Sequence, residues 1–289
     1  MTPRQVVLAI VPPVCFGMGF TVAKPALQHF PPLMVMLIAY SGIALLLSVT
    51  HRAPLQTPWR HILLISALAV TLQGACVFHA LAGLPATTAN LVLQSEVPFA
   101  VILGWLVAGE RLGWRKSLGT VVALAGVATV IGLPREPPPL GPVFLMMAGA
   151  FNWSLGQVYA RKLGREGGIG LLKANAYGAI PQLFVASLLI EHGQLDSLAT
   201  ATPAQWAMLA FVCVVGYGIA YASWFAVLRQ CRIDEVAPFM LLMPVVGIIA
   251  AYVVLGERAG PVQLAGGIVI LAGLAIVSGL PRRPAPEAG

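Results

Sequence analysis

The chain has 289 residues, of which 58% are hydrophobic and only 9% charged. Soluble domains carry about 25% charged residues, so this chain lacks the surface a soluble enzyme needs. Its net charge of +7 comes from 17 Lys+Arg scattered between apolar bands, not gathered on one stripe as nucleic-acid binding requires.

Apolar bands of about 20 residues, enough to cross a bilayer core at a rise of about 1.5 Å per residue, recur along the whole chain and exclude a single-span anchor. Breaks at Pro, Gly and charge give ten spans: 5–24, 32–50, 61–82, 86–108, 115–133, 142–160, 170–190, 204–228, 236–255 and 261–280. Lys173, Asn175 and Gln182 interrupt the seventh. The first span follows Arg4 as a signal peptide would, yet it has a counterpart in mid-chain and reads as a retained helix. The longest breaks are His51–Trp59, Pro134–Gly141 and Glu191–Pro203, and the tail 282–289 is expected to be disordered. Cys15, Cys76, Cys213 and Cys231 show no CxxC spacing and read as small apolar packing residues. No metal site or cofactor is expected.

With the N-terminus inside, 14 of the 17 basic residues fall on cytoplasmic segments, Arg111, Arg232, Arg282 and Arg283 among them. Only Lys24, Arg135 and Arg258 fall outside. That bias sets an orientation with both termini cytoplasmic.

The chain also repeats itself. Gly109-Glu110-Arg111 returns 147 residues later as Gly256-Glu257-Arg258, and at the same offset Gly119 matches Gly266, Ala125-Gly126 matches Ala272-Gly273, and 132–135 matches 279–282. Near the start of each half, Phe16-Gly17-Met18-Gly19 with Ala23-Lys24 resembles Trp153-Ser154-Leu155-Gly156 with Ala160-Arg161. Five spans per half is an odd number, so the second half inserts upside down relative to the first, the geometry that underlies alternating access in transporters.

Two five-span repeats, each closing with Gly-Glu-Arg and a Gly-rich span that carries Ala-Gly, resemble the EamA domains of the drug/metabolite transporter superfamily. Pro98 and Pro244 ahead of each Gly-Glu-Arg, and Trp153 followed by Arg161, strengthen the likeness. The one-residue difference in the proline spacing departs from strict symmetry. The resemblance implies an exporter, and among ten-span members the YddG-type exporters of aromatic and neutral amino acids are the nearest match.

Polar groups at membrane depth face a protein interior or a wet cavity. Gln73, Cys76 and His79 share a face of the third span, and Asn90 and Gln94 share one of the fourth, with Glu96 nearly opposite Gln94. The sixth span carries Asn152, Trp153, Gln157 and Tyr159. The eighth carries Tyr217, Tyr221 and Trp224 at i, i+4, i+7 beside Gly216, Ala220 and Ser223. Each set has two readings: interhelical packing and hydrogen bonding, or the wall of a substrate cavity. Glu96 is either a structural carboxylate or, alone or with His79, a proton-coupling or ammonium-binding group. Glu110 and Glu257 are expected to pair with the adjacent Arg111 and Arg258, while Lys24 and Arg161 snorkel from span ends or attract anions. Pro12, Pro98, Pro238 and Pro244 are hinge candidates because each removes or strains a helical hydrogen bond.

The expected architecture is an all-α polytopic membrane protein of ten transmembrane helices in two inverted repeats, 1–135 and 142–281, joined by a Pro-rich linker at 136–141. The expected function is an inner-membrane secondary transporter of small neutral metabolites, with the lipid bilayer and a small-molecule substrate as its partners, no nucleic acid, and monomeric because one chain holds both repeats. No Ser–His pair or paired carboxylates point to an enzyme. An uncoupled facilitator or an exporter of another metabolite or drug-like compound is the alternative.

Overall fold

The computed structural model describes residues 2–110, 113–132, 137–231 and 233–278. Arg111, Arg135, Arg232, Pro281, Arg282, Arg283, the repeat matches at 133–135 and 279–282, residue 136 of the linker and the tail 282–289 lie outside the described residues. Among the described residues there are ten long helices and no strand.

The first half holds Pro3–Ala26 (α1), Pro32–Thr50 (α2), Trp59–Gly83 (α3), Ala86–Ala108 (α4) and Trp114–Gly132 (α5). The second holds Leu140–Leu163 (α6), Ile169–Ile190 (α7) and Pro203–Leu228 (α8). Its ninth helix (α9) runs from Ile233–Val236 through a 3-10 turn, Ala237–Leu241, into Leu242–Leu255, and Pro261–Ser278 (α10) closes the bundle. A short helix, Gln194–Thr200, occupies part of the segment expected to be a plain break.

Eight of the ten are long and apolar enough to cross a membrane on composition alone; α6 and α7 are the exceptions. The polar residues of α7 explain its case, and Lys173 and Gln182 are spent on neighbouring segments. The Lys173 ammonium donates to the carbonyls of His51 at 2.8 Å and Ala53 at 3.0 Å. The Gln182 amide donates to the Leu63 carbonyl at 2.9 Å and the Ser66 hydroxyl at 3.1 Å, and accepts from the Thr71 hydroxyl at 2.8 Å.

Those last three bonds bracket a π-helical stretch, Ala67–Leu72, in the middle of α3. A second one, Val212–Ile219, lies in α8, the corresponding span of the other half. Proline explains two further irregularities. Lacking an N–H, Pro98 leaves the carbonyl four residues back without its helical partner, and α4 breaks at Gln94–Ser95. The 3-10 turn of α9 lies just ahead of Pro244 and begins around Pro238. By contrast α1 runs through Pro12 and Pro13 without a break, so Pro12 marks no hinge in this conformation.

The recurring Gly-Glu dipeptide is a helix stop. Gly109 and Gly256 both take φ +68°, a left-handed conformation that suits glycine. The next amide then folds back six residues, Glu110 N–H onto Gly104 and Glu257 N–H onto Ala251, each at 3.1 Å. These are Schellman closures.

Small residues set how the halves meet, since close backbone approach drives helix association in lipid. Gly119 abuts Gly273 and Gly126 abuts Gly266, so that α5 and α10 pack along their length. On α1, Gly17 lies against Met243 and Gly247 of α9, and Gly19 against Gly216 of α8. On α6, Gly156 lies against Ala69 and Gly149 against Gln73 and Val77 of α3, while the Ser154 hydroxyl donates to the Glu96 carbonyl of α4 at 2.6 Å. The first helix of each half therefore packs into the third and fourth helices of the other.

Candidate functional site

The π-helical stretch of α8 decides where its aromatic rings point. Tyr217 meets Tyr40 of α2 with centroids 5.6 Å apart, and Tyr221 meets Phe16 of α1 edge-on at 5.1 Å. Tyr217 and Tyr221 are 6.3 Å apart, and Phe225 stacks on Tyr221 at 6.2 Å and 15°. The result is an aromatic column along the contact of α1, α2 and α8.

Trp224 is not part of it. The expected i, i+4, i+7 stripe assumes an uninterrupted α-helix, whereas the i→i+5 bonding of a π-helix widens the turn and shifts the later residues in phase. Phe225 takes the place expected for Trp224, which packs instead against a small cluster of Ala9, Val227 and Val236. Phe16, Tyr40 and Phe225 are the residues that sequence reasoning missed. Phe16 had a signal in its position at the head of the repeated Phe-Gly-x-Gly, and Tyr40 had one as the single aromatic residue of α2.

At one end of the column, Phe225 also lines a cavity of about 240 Å³ with His51, Gly168, Ile169, Leu228 and Arg229. Glu96 begins the second segment of α4, is half-buried, and interacts electrostatically with Tyr221. The break at Gln94–Ser95 removes the helical phase that set Glu96 opposite Gln94.

The other candidates are dispersed. Asn90 is fully buried against Gly247 of α9 and donates to the Ala86 carbonyl of its own helix at 2.9 Å. Its Oδ1 has no partner among the described residues. Gln94 is buried and approaches the Asn90 carbonyl at 3.4 Å. His79 spends Nδ1 on the Ala75 carbonyl at 2.7 Å. Gln73, Asn152, Trp153, Gln157 and Tyr159 are half-buried on α3 and α6, apart from the aromatic column.

Carboxylates mark the two ends of the bundle. Glu257 pairs with Lys24 at 2.7 Å and accepts the amides of Ala86 at 2.9 Å and Thr87 at 3.0 Å, capping α4. Burial opposes its ionisation, but the Lys24 contact and the two amides outweigh this and hold its carboxyl below the usual value. At the same end Glu191 accepts from the amides of Leu33 and Met34 at 2.6 and 3.2 Å, capping α2. At the opposite end Glu110 pairs with Arg161 at 3.3 Å. Glu166 there takes the Gln56 amide, the Thr57 hydroxyl and, at 2.8 Å, the Thr57 amide. Its carboxyl is also lowered, burial again opposing and the Thr57 and Gln56 bonds prevailing.

The expected pairing of Glu257 with the adjacent Arg258 does not occur. The Schellman turn aims the glutamate back over the helix end, where the cation belongs to the other half. Arg111 lies outside the described residues, and Glu110 finds Arg161. Lys24 and Arg161 thus hold carboxylates rather than snorkelling free.

Comparison with known proteins fits this architecture. The EamA-like transporter family matches residues 4–132 and again 140–279. A "Probable amino-acid metabolite efflux pump" of Escherichia coli (strain K12) is 34% identical over the full length of both chains. A protein of the same description from Salmonella typhimurium is 33% identical, covering 96% of this chain and 95% of its own. A "Probable terminal-alkyne amino-acid exporter" of Streptantibioticus cattleyicolor is 25% identical over 67% of this chain and 64% of its own. One crystal structure superposes with a TM-score of 0.66 at 16% identity over 96% of both chains, a likeness of fold alone. With both halves matched and the two efflux-pump relatives aligned nearly end to end, the chain is a multi-pass membrane protein that belongs to the EamA-like transporter family.

Proposed function

We propose that the protein is an inner-membrane secondary transporter that exports small neutral metabolites, foremost aromatic and other neutral amino acids, by alternating access. The observation that carries this reading is the uncharged aromatic column of Phe16, Tyr40, Tyr217, Tyr221 and Phe225 between the halves. Such a wall accepts an apolar or flat side chain, and its hydroxyls and Glu96 supply the few polar contacts a zwitterion needs. The relatives named for amino-acid efflux support both substrate class and direction.

The charge bias supports an orientation with both termini cytoplasmic, and then the cavity at Phe225 and Arg229 opens toward the cytoplasm. Repeats 1–135 and 142–281 move as two units about their contact, with Pro98, Pro238 and Pro244 at the bending points. Glu96 is the coupling group, and a single chain suffices because it supplies both halves. Asn90 and Gln94, buried in this conformation, become accessible only as α4 and α9 part.

The test is counterflow in proteoliposomes with phenylalanine, tyrosine, leucine and a nucleotide sugar. Exchange of the amino acids is the expected result; movement of the nucleotide sugar alone refutes it. Glu96→Gln should abolish stimulation by a pH gradient, and an unchanged response removes Glu96 from coupling.

A further inference from the structure

Lys24 and Arg161 hold matching places near the ends of α1 and α6, 137 residues apart, and Glu110 and Glu257 hold matching places after α4 and α9, 147 residues apart. Each cation finds the carboxylate of the other half. Because α6 is the fifth helix after α1, these helices run in opposite directions, and the two pairs lie at opposite ends of the bundle. The contacts are unequal. Lys24–Glu257 is 2.7 Å long with side chains 21% and 18% exposed, and two backbone amides of α4 complete the carboxylate's shell. Arg161–Glu110 is 3.3 Å long with side chains 57% and 42% exposed.

The tight pair lies at the end where other contacts also seal the bundle: Glu191 on the amides of Leu33 and Met34, His29 on the Ser197 carbonyl at 2.7 Å, and Phe30 against Trp206 at 5.9 Å. The loose pair lies at the end where the cavity opens beside Arg229. Closure at one end thus coincides with the tight cross-half pair, and opening at the other with the loose one.

We infer that Lys24–Glu257 and Arg161–Glu110 are two latches related by the repeat, which engage in turn as the ends of the transporter open and close. The inference rests on the alternating-access reading above. In the opposite state Arg161 and Glu110 tighten, and Glu110 caps the amides of residues 233 and 234, which stand 147 residues on from Ala86 and Thr87. Lys24 and Glu257 meanwhile separate and become hydrated. Each state keeps one satisfied pair, so the exchange is close to balanced, as a transporter that must visit both states requires.

The experiment uses the full chain in proteoliposomes, with Cys15, Cys76, Cys213 and Cys231 replaced by alanine. Single reporter cysteines go at Leu27, at the sealed end, and at Leu228, at the cavity, and their reaction with an impermeant maleimide is timed. Lys24→Gln, which leaves the Glu257 cap on α4 in place, should raise labelling at 27 relative to 228 by about fivefold, the effect of a pair worth about 1 kcal/mol. Arg161→Gln and Glu110→Gln should shift the ratio the other way, and Lys24→Arg should leave it near wild type. Should Lys24→Gln not reach the membrane, the exposed pair carries the test through the sign of its shift alone. If phenylalanine still exchanges the two accessibilities but latch variants shift them in one common direction, or not at all, the latches are refuted and alternating access stands. If neither substrate nor any variant alters the accessibilities while transport persists, alternating access itself falls and the latches fall with it.

Discussion

Gly19 and Gly216 meet backbone to backbone where α1 crosses the π-helical stretch of α8. In the other half Gly156 of α6 meets Ala69 in the π-helical stretch of α3 in the same manner. The irregular turns thus lie at the two crossings through which the halves grip each other. A widened turn exposes backbone and invites close approach, and only a residue without bulk fits opposite it.

Substitution at these crossings should therefore be costly. A Cβ on Gly19 would overlap the Gly216 backbone, and overpacking of this kind costs about 1–3 kcal/mol. Gly19→Val is expected to lower the thermal midpoint by several degrees and to cut phenylalanine counterflow by about tenfold, measured by fluorescence-detected size exclusion and in proteoliposomes. Wild-type behaviour would mean that α1 stands off α8 in the membrane.

The π-helical stretch of α3 depends on Gln182. Its three side-chain bonds reach Leu63, Ser66 and Thr71, and interhelical hydrogen bonds in membranes average about 0.6 kcal/mol each. Gln182→Leu should destabilise the protein by about 1–2 kcal/mol, read as a lower thermal midpoint, and slow transport because the α3–α6 crossing loses definition. A more stable variant would show those bonds to be dispensable.

The aromatic column predicts a division between adjacent residues. Tyr221→Ala removes contacts to Phe16, Tyr217 and Phe225, each worth about 0.5–1.5 kcal/mol, and should raise the half-saturation concentration for phenylalanine about tenfold while changing that for alanine little. Trp224→Ala, one residue from Phe225 but in a separate cluster, should leave the preference for phenylalanine over alanine within about twofold of wild type. Equal losses from both substitutions would remove the column from substrate recognition.

Stability in acid should follow Glu166. Its carboxyl is lowered from an ordinary value of 4.5, so the folded state holds the proton less tightly than the unfolded one. The stabilisation it gives is fully present above that ordinary value and is lost as pH falls through the lower folded value. Thermal midpoints should drop as pH is taken from about 5 to about 3, and Glu166→Gln should be less stable at neutral pH with a shallower fall. An identical fall in both proteins would assign the acid sensitivity to other groups, Glu257 first among them.

The spans and the repeat were legible because both are written locally: hydropathy in runs, and Gly-Glu-Arg at a constant offset. Eight spans stand on composition alone, and α7 emerges once Lys173 and Gln182 are seen to have partners. The aromatic column was only half legible, since the i+7 rule that selected Trp224 assumes a regular helix and nothing around Val212–Ile219 announces a widened turn. The partners of Lys24 and Arg161 were hidden for a different reason. Each lies across the molecule, while a neighbouring arginine offered a nearer but geometrically wrong choice.

The helix caps make the halves unequal partners. Glu166, Glu191 and Glu257 all belong to the second half, and all accept backbone amides of the first. The first half owns only Glu96 and Glu110 as carboxylates. Glu110 could stand in for Glu257 at Ala86 and Thr87, but two copies of the first half would leave the amides of Leu33, Met34 and Thr57 without acceptors, because Glu166 and Glu191 have no carboxylate counterpart there. In this conformation the carboxylate caps therefore run one way, from acceptors in the second half to amides in the first.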